Sequence, residues 1–415
     1  MNKKVEDSRL FKGSRTLPYL EDDDRHLTAT DEPGHSFGFI GCGMMGQEHI
    51  HNTLLLGRAG IGGVFDPSQK SVAHACRLIE KTRKQGEPTT YGSIEEACSD
   101  PATDALVIST PNFTHLDVMR SVVGCDKAIF LEKPIATTVA DAYEVCQLAV
   151  THEHAVRFGL QYRYKSIYAE AIQEAFQRKS LGRIHSVNML EHRFPFLDKV
   201  GQWNKFSTST GGTLVEKCCH YFDLMNLFAG GLPTQVFAVG NQAVNFKDFT
   251  YGNRKADGLD QAQVTLQYDN GVIGGFSLCM FAPGTREELI VCGDSGRLHA
   301  SESALLGGEN ENRLELWRGD NGASDVRSPG YPGYIERAGH HGSTFFEHMS
   351  FIEQLAGDES SGPTLADGFW SVVVGEAAQL SIERGAAVEV TEVLPNDFDA
   401  ALIGSPTTMP DLASD

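Results

Sequence analysis

The chain has 415 residues, 41% hydrophobic and 22% charged, enough for about two ordinary domains with a sizeable core rather than a disordered chain. Its formal net charge of −20 argues against nucleic acid, which calls for clustered Lys and Arg, and against docking on an anionic membrane. No apolar run is long enough to span a bilayer, no signal-peptide stretch opens the chain, and the nine cysteines contain no CxxC pair, so reduced cysteines in a cytoplasmic protein are expected.

Residues 1–34 are polar and read as an arm. Strand and helix then alternate. Strand Phe37–Ile40 runs into Gly41-Cys42-Gly43-Met44-Met45-Gly46 and a helix with Ile50, Leu54 and Leu55 on its buried stripe. Strand Ile61–Phe65 ends at Asp66, and a helix covers Val72–Ile79. Further strands are expected at Ala105–Ser109, Ala128–Leu131 and Val156–Leu160, with helices carrying Leu116, Met119 and Val123, then Val139–Val150, between them. This alternation over residues 35–163 predicts an α/β Rossmann domain with a doubly wound parallel sheet.

Beyond Tyr164 the pattern changes. Helices Ser166–Gln177 and Leu214–Phe228 bracket a strand at Ile184–Phe194. Strands at Val236–Val244, Ala262–Tyr268, Val272–Met280, Glu288–Cys292 and Arg313–Trp317 follow without helices between them. Asp269-Asn270-Gly271 is a hairpin signal. Residues 164–390 therefore predict an α+β domain with a large open antiparallel sheet, serving substrate binding and oligomerisation. Gly307–Gly339 reads as loops. Late helices over 344–383 are expected to pack back on the first domain, and 391–415 to form a C-terminal tail.

A GxGxxG pattern alone is weak, since such turns also occur in α/β domains that hold no ligand. Here it follows a strand, opens a helix and precedes an acid, Asp66, at the end of the next strand. Gly41 permits a tight turn, Gly43 lets a pyrophosphate approach the backbone, and Gly46 allows close helix–strand packing over a positive helix N-terminus. Cys42, Met44 and Met45 complete the turn. Asp66 accepts from ribose hydroxyls and repels the extra phosphate of NADP, and Pro67 rather than Arg follows it, so NAD is expected over NADP.

Glu132-Lys133-Pro134 closes a strand of the same sheet. With Gly41–Gly46 and Ser109-Thr110-Pro111-Asn112-Phe113-Thr114-His115, it resembles the glucose–fructose oxidoreductase / inositol dehydrogenase / rhizopine catabolism (Gfo/Idh/MocA) family over about His35 to Val390. A second element, Gly211-Gly212-Thr213-Leu214-Val215-Glu216-Lys217-Cys218-Cys219-His220, places Glu216 and His220 one helical turn apart. The resemblance implies that Lys133 polarises the reacting hydroxyl and His220 takes its proton while hydride leaves the same carbon. Glu216 binds substrate or tunes the histidine. The chain departs from the pattern at Glu216, where Asp is usual, and at Cys218, where Gly is common.

Thr110, Pro111 and Asn112 are expected to line the nicotinamide ribose with Ser109 and Glu132. His115 lines the cofactor or only caps its helix. Gln161 and Arg163 point toward cofactor or substrate. Trp203 stacks on a sugar or packs internally, with Asn204 beside it, and His340 and His341 reach the substrate from a glycine-flanked loop. No cluster compels a metal. The expected function is an NAD-dependent dehydrogenase of a sugar or cyclitol, assembled as a dimer or tetramer. A redox-neutral, NAD-assisted glycoside-cleaving enzyme and a cofactor-binding regulator without turnover are the competing readings.

Overall fold

The structure, a computed structural model, describes residues 33–82, 88–304, 311–319, 323–357 and 362–407. Of the expected arm over 1–34, only residues 33 and 34 fall within these limits.

The first half contains β1 (His35–Ile40), α1 (Met44–Leu56), β2 (Ala59–Phe65), α2 (Gln69–Thr82), β3 (Thr89–Thr90), α3 (Ile94–Ser99), β4 (Ala105–Ile108), α4 (His115–Val122), β5 (Ala128–Glu132), α5 (Val139–Thr151) and β6 (Val156–Gly159). Its six strands form one parallel sheet in the order β3-β2-β1-β4-β5-β6. β4 and β5 are buried along their whole length. Helices cover both faces there, which is why Ala-Leu-Val-Ile and Ala-Ile-Phe-Leu-Glu read as continuous apolar runs. The strand order reverses between β1 and β4, so a crevice opens at their C-terminal ends, where ligands of such sheets bind.

The second half begins with α6 (Ser166–Ile172), which continues through a π turn at Gln173–Gln177. Then come β7 (Ile184–His192), α7 (Ser207–Thr210), α8 (Thr213–Glu216), α9 (Cys219–Ala229), β8 (Pro233–Asn241) and a small hairpin of β9 (Thr250–Tyr251) and β10 (Arg254–Lys255). After it follow β11 (Gln261–Tyr268), β12 (Ile273–Cys279), β13 (Thr285–Gly293), β14 (Arg297–Ala304), β15 (Glu311–Trp317), β16 (Ala323–Arg327) and α10 (Gly333–Glu336). The last elements are α11 (Ser343–Leu355), α12 (Leu365–Arg384), β17 (Val388–Glu389) and α13 (Ala400–Ile403). The nine-stranded sheet has the order β16-β15-β14-β13-β7-β12-β11-β8-β17. The β11–β12 hairpin turns at Gly271, whose φ is 86°.

Four local expectations are corrected. The sheet is antiparallel except between β7 and β12, which run parallel because a long crossover through α7–α9 and β8 separates them in sequence. Gly307–Gly339 holds, besides β15 where a strand was expected at Arg313–Trp317, a second strand, β16, and α10 in place of loops. β14 went unread because small polar residues blur its alternation, although Leu298 and Ala300 are fully buried. The expected helix Leu214–Phe228 is interrupted at Lys217–Cys218, and all eleven residues of α9 are buried, so α9 has no solvated face.

α11 packs on α1, and α12 lies against α5, α9 and β8. The segment read as a tail is packed as far as residue 407: Trp370 Nε1 donates to Gly404 O at 3.0 Å, and Thr407 N to Asp367 Oδ1 at 2.7 Å.

Candidate active site

The glycine turn is built as its spacing requires. Gly41 has φ 97°, and a Cβ there would lie 2.7 Å from the carbonyl group of Ser109. A Cβ on Gly46 would fall 2.1 Å from Gly41 O, whereas one on Gly43 would meet nothing within 4 Å. Gly43 caps α1 without a side chain, so Met44 and Met45 open the helix with N–H groups available to an anion. Asp66 sits against the turn. Its Oδ2 accepts from Cys42 N at 2.8 Å and its Oδ1 from Ser68 N at 2.7 Å. Burial pushes the Cys42 thiol up to about 12, with the nearby Asp66 adding to it, so the thiol stays protonated at neutral pH.

Across the crevice, Ser109 Oγ donates to Gly41 O at 2.9 Å, tying β4 to the turn. Thr114 Oγ1 donates to Pro111 O at 2.7 Å and lies 2.8 Å from Thr110 Oγ1. The ring of His115 is spent on backbone, Nδ1 against Pro134 O at 2.8 Å and Nε2 against Thr110 O at 3.1 Å. It joins two loops of the crevice. Asn112 Nδ2 and both polar atoms of Gln161 are buried without a partner. Orphaned amides, an open Gly43 and an uncapped helix start are the features a dinucleotide satisfies, and the residues present fit one.

The Glu132-Lys133 turn is anchored from behind. Glu132 Oε1 pairs with His49 Nε2 at 2.9 Å and Oε2 accepts from Lys133 N at 3.0 Å. His49 Nδ1 in turn meets His348 Nε2 of α11 at 2.8 Å. Glu132 is therefore directed into the core. Glu347 joins His49 and Glu132, with ligand-type atoms of all three within 4.8 Å, a cluster the sequence reading did not foresee. Both Glu347 oxygens lack a partner. Burial and the neighbouring Glu132 hold this carboxyl well above the usual range.

Lys133 Nζ donates to Glu216 O at 3.2 Å, which brings the two sequence motifs together. Burial opposes its charge, but Cys219, Glu216 and Glu132 hold its ammonium above the ordinary lysine value. Glu216 pairs with Lys199 at 3.3 Å and leaves Oε2 buried without a partner. Despite burial, Lys199 and Lys133 keep this carboxylate below its ordinary value. His220 is buried, and its Nδ1 has no partner. Burial, then Lys133, Lys217, His340 and Lys165, depress its pKa well below the ordinary imidazole value. His220 is thus a neutral base beside an ammonium.

A cavity of about 180 Å³ adjoins this pair, lined among others by Tyr162, Lys165, Arg193, Lys217 and His341. Its floor holds Glu191, Glu287 and Glu302, which stand in register on β7, β13 and β14. Like charges directly opposite on a sheet repel. Cations interleave with them: Lys165 reaches Glu287 and Glu302 at 2.8 Å each, and Lys217 reaches Glu191 at 3.1 Å. None of Tyr162, Lys165, Glu191, His192, Arg193, Lys217, Glu287 and Glu302 was singled out from sequence. Lys217, flanked by the glutamate and cysteines of the second motif, was the one readable signal.

The remaining expected residues divide. His340 and His341 line this cavity, His340 Nδ1 pairing with Glu48 at 2.7 Å. Trp203 lies under Lys199, with Nζ 4.4 Å from the ring centre. Asn204 is buried and donates to Leu197 O at 3.0 Å. Arg163 is held between Asp223 and Asp367, each contacted at 2.8 Å, and acts as an internal staple rather than a cavity residue.

The profile described as "Oxidoreductase family, NAD-binding Rossmann fold" matches residues 35–160, and that described as "Oxidoreductase family, C-terminal alpha/beta domain" matches residues 173–390. The chain belongs to the Gfo/Idh/MocA oxidoreductase family. Among its relatives, a myo-inositol 2-dehydrogenase of Thermotoga maritima is 24% identical over 358 residues, covering 86% of this chain and 99% of that protein. The rhizopine catabolism protein MocA of Rhizobium meliloti is 25% identical over 260 residues, covering 62% and 76% respectively. A solved levoglucosan dehydrogenase, in complex with NADH and L-sorbose, shares the fold of this Gfo/Idh/MocA chain with a TM-score of 0.71 at 18% identity, covering 86% and 99%. The Lys133 turn meets the α8–α9 junction through Glu216 O, and the charged cavity adjoins that junction through Tyr162, whose ring stacks on His220.

Proposed function

We propose that this enzyme transfers hydride between NAD and a hydroxyl-bearing carbon of a sugar or cyclitol. The observation that carries the reading is the meeting of Lys133 and Glu216 O at 3.2 Å, with neutral His220 near them. Lys133 donates to the reacting hydroxyl and stabilises its oxygen as negative charge develops. His220 receives the hydroxyl proton, which it can do at neutral pH because its surroundings keep it uncharged. Glu216, fixed by Lys199, offers its free Oε2 to a substrate hydroxyl. NAD, when bound, supplies the hydride acceptor. Gly41–Gly46 hold its phosphates and Asp66 its ribose, which favours NAD over NADP by charge repulsion.

Among the described residues, no helix is long and apolar enough to cross a membrane. The reading extends to a cytoplasmic homo-oligomer assembled through the outer face of the large sheet. Phe237, Val239 and Ile273 are 44%, 53% and 56% exposed there. The deciding experiment incubates the purified protein with NAD or NADP and a panel of inositols, aldoses, anhydrosugars and sugar acids. Reduced nicotinamide accumulating with at least one polyol supports the reading. Glycoside cleavage without net reduction overturns it.

A further inference from the structure

Four consecutive residues, Gly339 to Gly342, have positive φ: 120°, 38°, 56° and 85°. Glycine takes such values freely, but His340 and His341 hold them against the crowding of their own Cβ atoms. Backbone of this kind persists only where its surroundings enforce it, and it gathers at functional sites. Here α1 and the start of α11 enforce it. Asn52 Nδ2 donates to Ala338 O at 2.9 Å, and Ser343 Oγ donates to His340 O at 2.7 Å. Glu48 of α1 packs so closely that a Cβ on Gly339 would lie 2.3 Å from its carboxyl carbon.

Both histidines line the cavity of about 180 Å³. The charges of its lining are matched, Lys165, Arg193 and Lys217 against Glu191, Glu287 and Glu302. Hydrogen-bonding groups not already spent on the protein therefore decide what the cavity holds. His340 keeps one. Glu48 Oε1 accepts from His340 Nδ1 and from Thr344 Oγ1, each at 2.7 Å. Burial opposes charge on Glu48, but His340 and Thr344 hold its carboxyl below the ordinary value, so it is ionised at neutral pH. An ionised carboxylate only accepts, which places an imidazole proton on Nδ1 and leaves Nε2 of the neutral ring with a lone pair. That nitrogen has no partner among the described residues. The His340 side chain is 36% exposed and that of Glu48 15%, so the carboxylate is the anchor and the ring is the accessible group.

We infer that His340 is a specificity residue: its Nε2 accepts from a substrate hydroxyl other than the reacting one, and Glu48 is the positioning residue that fixes the ring for it. This rests on the dehydrogenase reading and adds to that site a contact from the loop clamped on α1. The left-handed backbone of a residue that is not glycine is then the cost of carrying an imidazole at this point of the cavity wall.

The test uses myo-inositol, D-glucose or levoglucosan, whichever reduces NAD fastest, together with its monodeoxy analogues. His340→Asn keeps an amide nitrogen near the place of Nδ1, tolerates positive φ and has nothing at Nε2. Its melting temperature and NAD affinity should stay near wild type. Its KM for the parent polyol should rise roughly 3–10-fold, with a smaller change in kcat. One monodeoxy analogue, which lacks the hydroxyl that His340 receives, should be insensitive to the substitution. Glu48→Gln should show the same selective loss. His340→Gln, whose longer amide extends toward the place of Nε2, should restore part of the affinity. An unchanged KM, or an equal rise for the parent and every analogue, overturns the inference while leaving the dehydrogenase reading intact. Asn and Gln variants that both melt far below wild type show that the histidine serves the fold instead, and overturn it as well. Bound NAD with no reduction by any of the polyols overturns both readings.

Discussion

The imidazole of His220 lies flat against the ring of Tyr162, centroids 4.1 Å apart and planes 6° apart. The hydroxyl of that tyrosine accepts from Lys217 Nζ at 2.8 Å, so the stack is held at its outer edge as well. The histidine's orientation is fixed by packing on one face, while burial and surrounding cations keep it neutral.

This arrangement sets a pH profile. A base must be unprotonated to act, and the pKa of His220 is depressed well below 6.5. The kcat/KM for alcohol oxidation should stay level through neutral pH as far as this group controls it, and fall only in acid well below that value. His220→Ala should lower kcat by roughly 10²–10⁴ and remove the acid limb. A pH-rate profile of both forms decides it. Wild-type turnover by the variant would sink the assignment.

Lys133→Ala should lower kcat by about 10²–10³, the usual cost of losing one preorganised donor to a developing oxyanion. NAD binding, followed by fluorescence quenching or calorimetry, should change little, because the ammonium is directed at Glu216 O. Near-normal turnover would misplace the reacting carbon.

Two glycines of one turn should respond oppositely to alanine. Gly46→Ala would drive a methyl to within 2.1 Å of Gly41 O, so the folded domain itself should be destabilised. Gly43→Ala meets open space and a negative φ of −70°, so melting should be unchanged while NAD affinity falls. Thermal denaturation with and without NAD separates the two outcomes. Unaltered NAD affinity in Gly43→Ala would show that the cofactor does not approach there.

Arg163→Met should unfold the protein more readily without touching the chemistry directly. It strands Asp223 and Asp367, both buried, without their shared cation. Breaking a buried ion network from one side costs about 3–5 kcal/mol. Denaturant titration measures the loss. A variant of wild-type stability would contradict the staple role.

Glu347→Gln should alter the pH dependence of stability. The folded pKa of Glu347 is raised well above 4.5, so its contribution is complete below that value and is lost as pH rises through the folded pKa. The glutamine variant lacks this loss. Its melting temperature relative to wild type should therefore climb as pH is raised above about 4.5. A difference independent of pH would show that Glu347 is ionised or solvated in the fold.

Much of the fold was legible in sequence because its signals are local. β4 and β5 are apolar runs, β11 alternates between buried and exposed positions, and the turns at Gly41 and Gly271 need glycine's backbone freedom. The Glu132-Lys133 turn and the Glu216–His220 spacing were likewise readable as short motifs. β14 was not, since Ala and Ser give weak periodicity. Arg163 could not be told from a substrate ligand, because its partners Asp223 and Asp367 lie far along the chain. The alignment of Glu191, Glu287 and Glu302 depends on the registers of three strands widely separated in sequence. No local pattern encodes which carboxylates a sheet will set side by side, or which cations will cover them. The chain's own residues thus determined the two-domain scaffold and its principal chemical groups. Tertiary register alone decided the charge distribution of the cavity, because electrostatic neighbours are set by distance in space and not by separation along the chain.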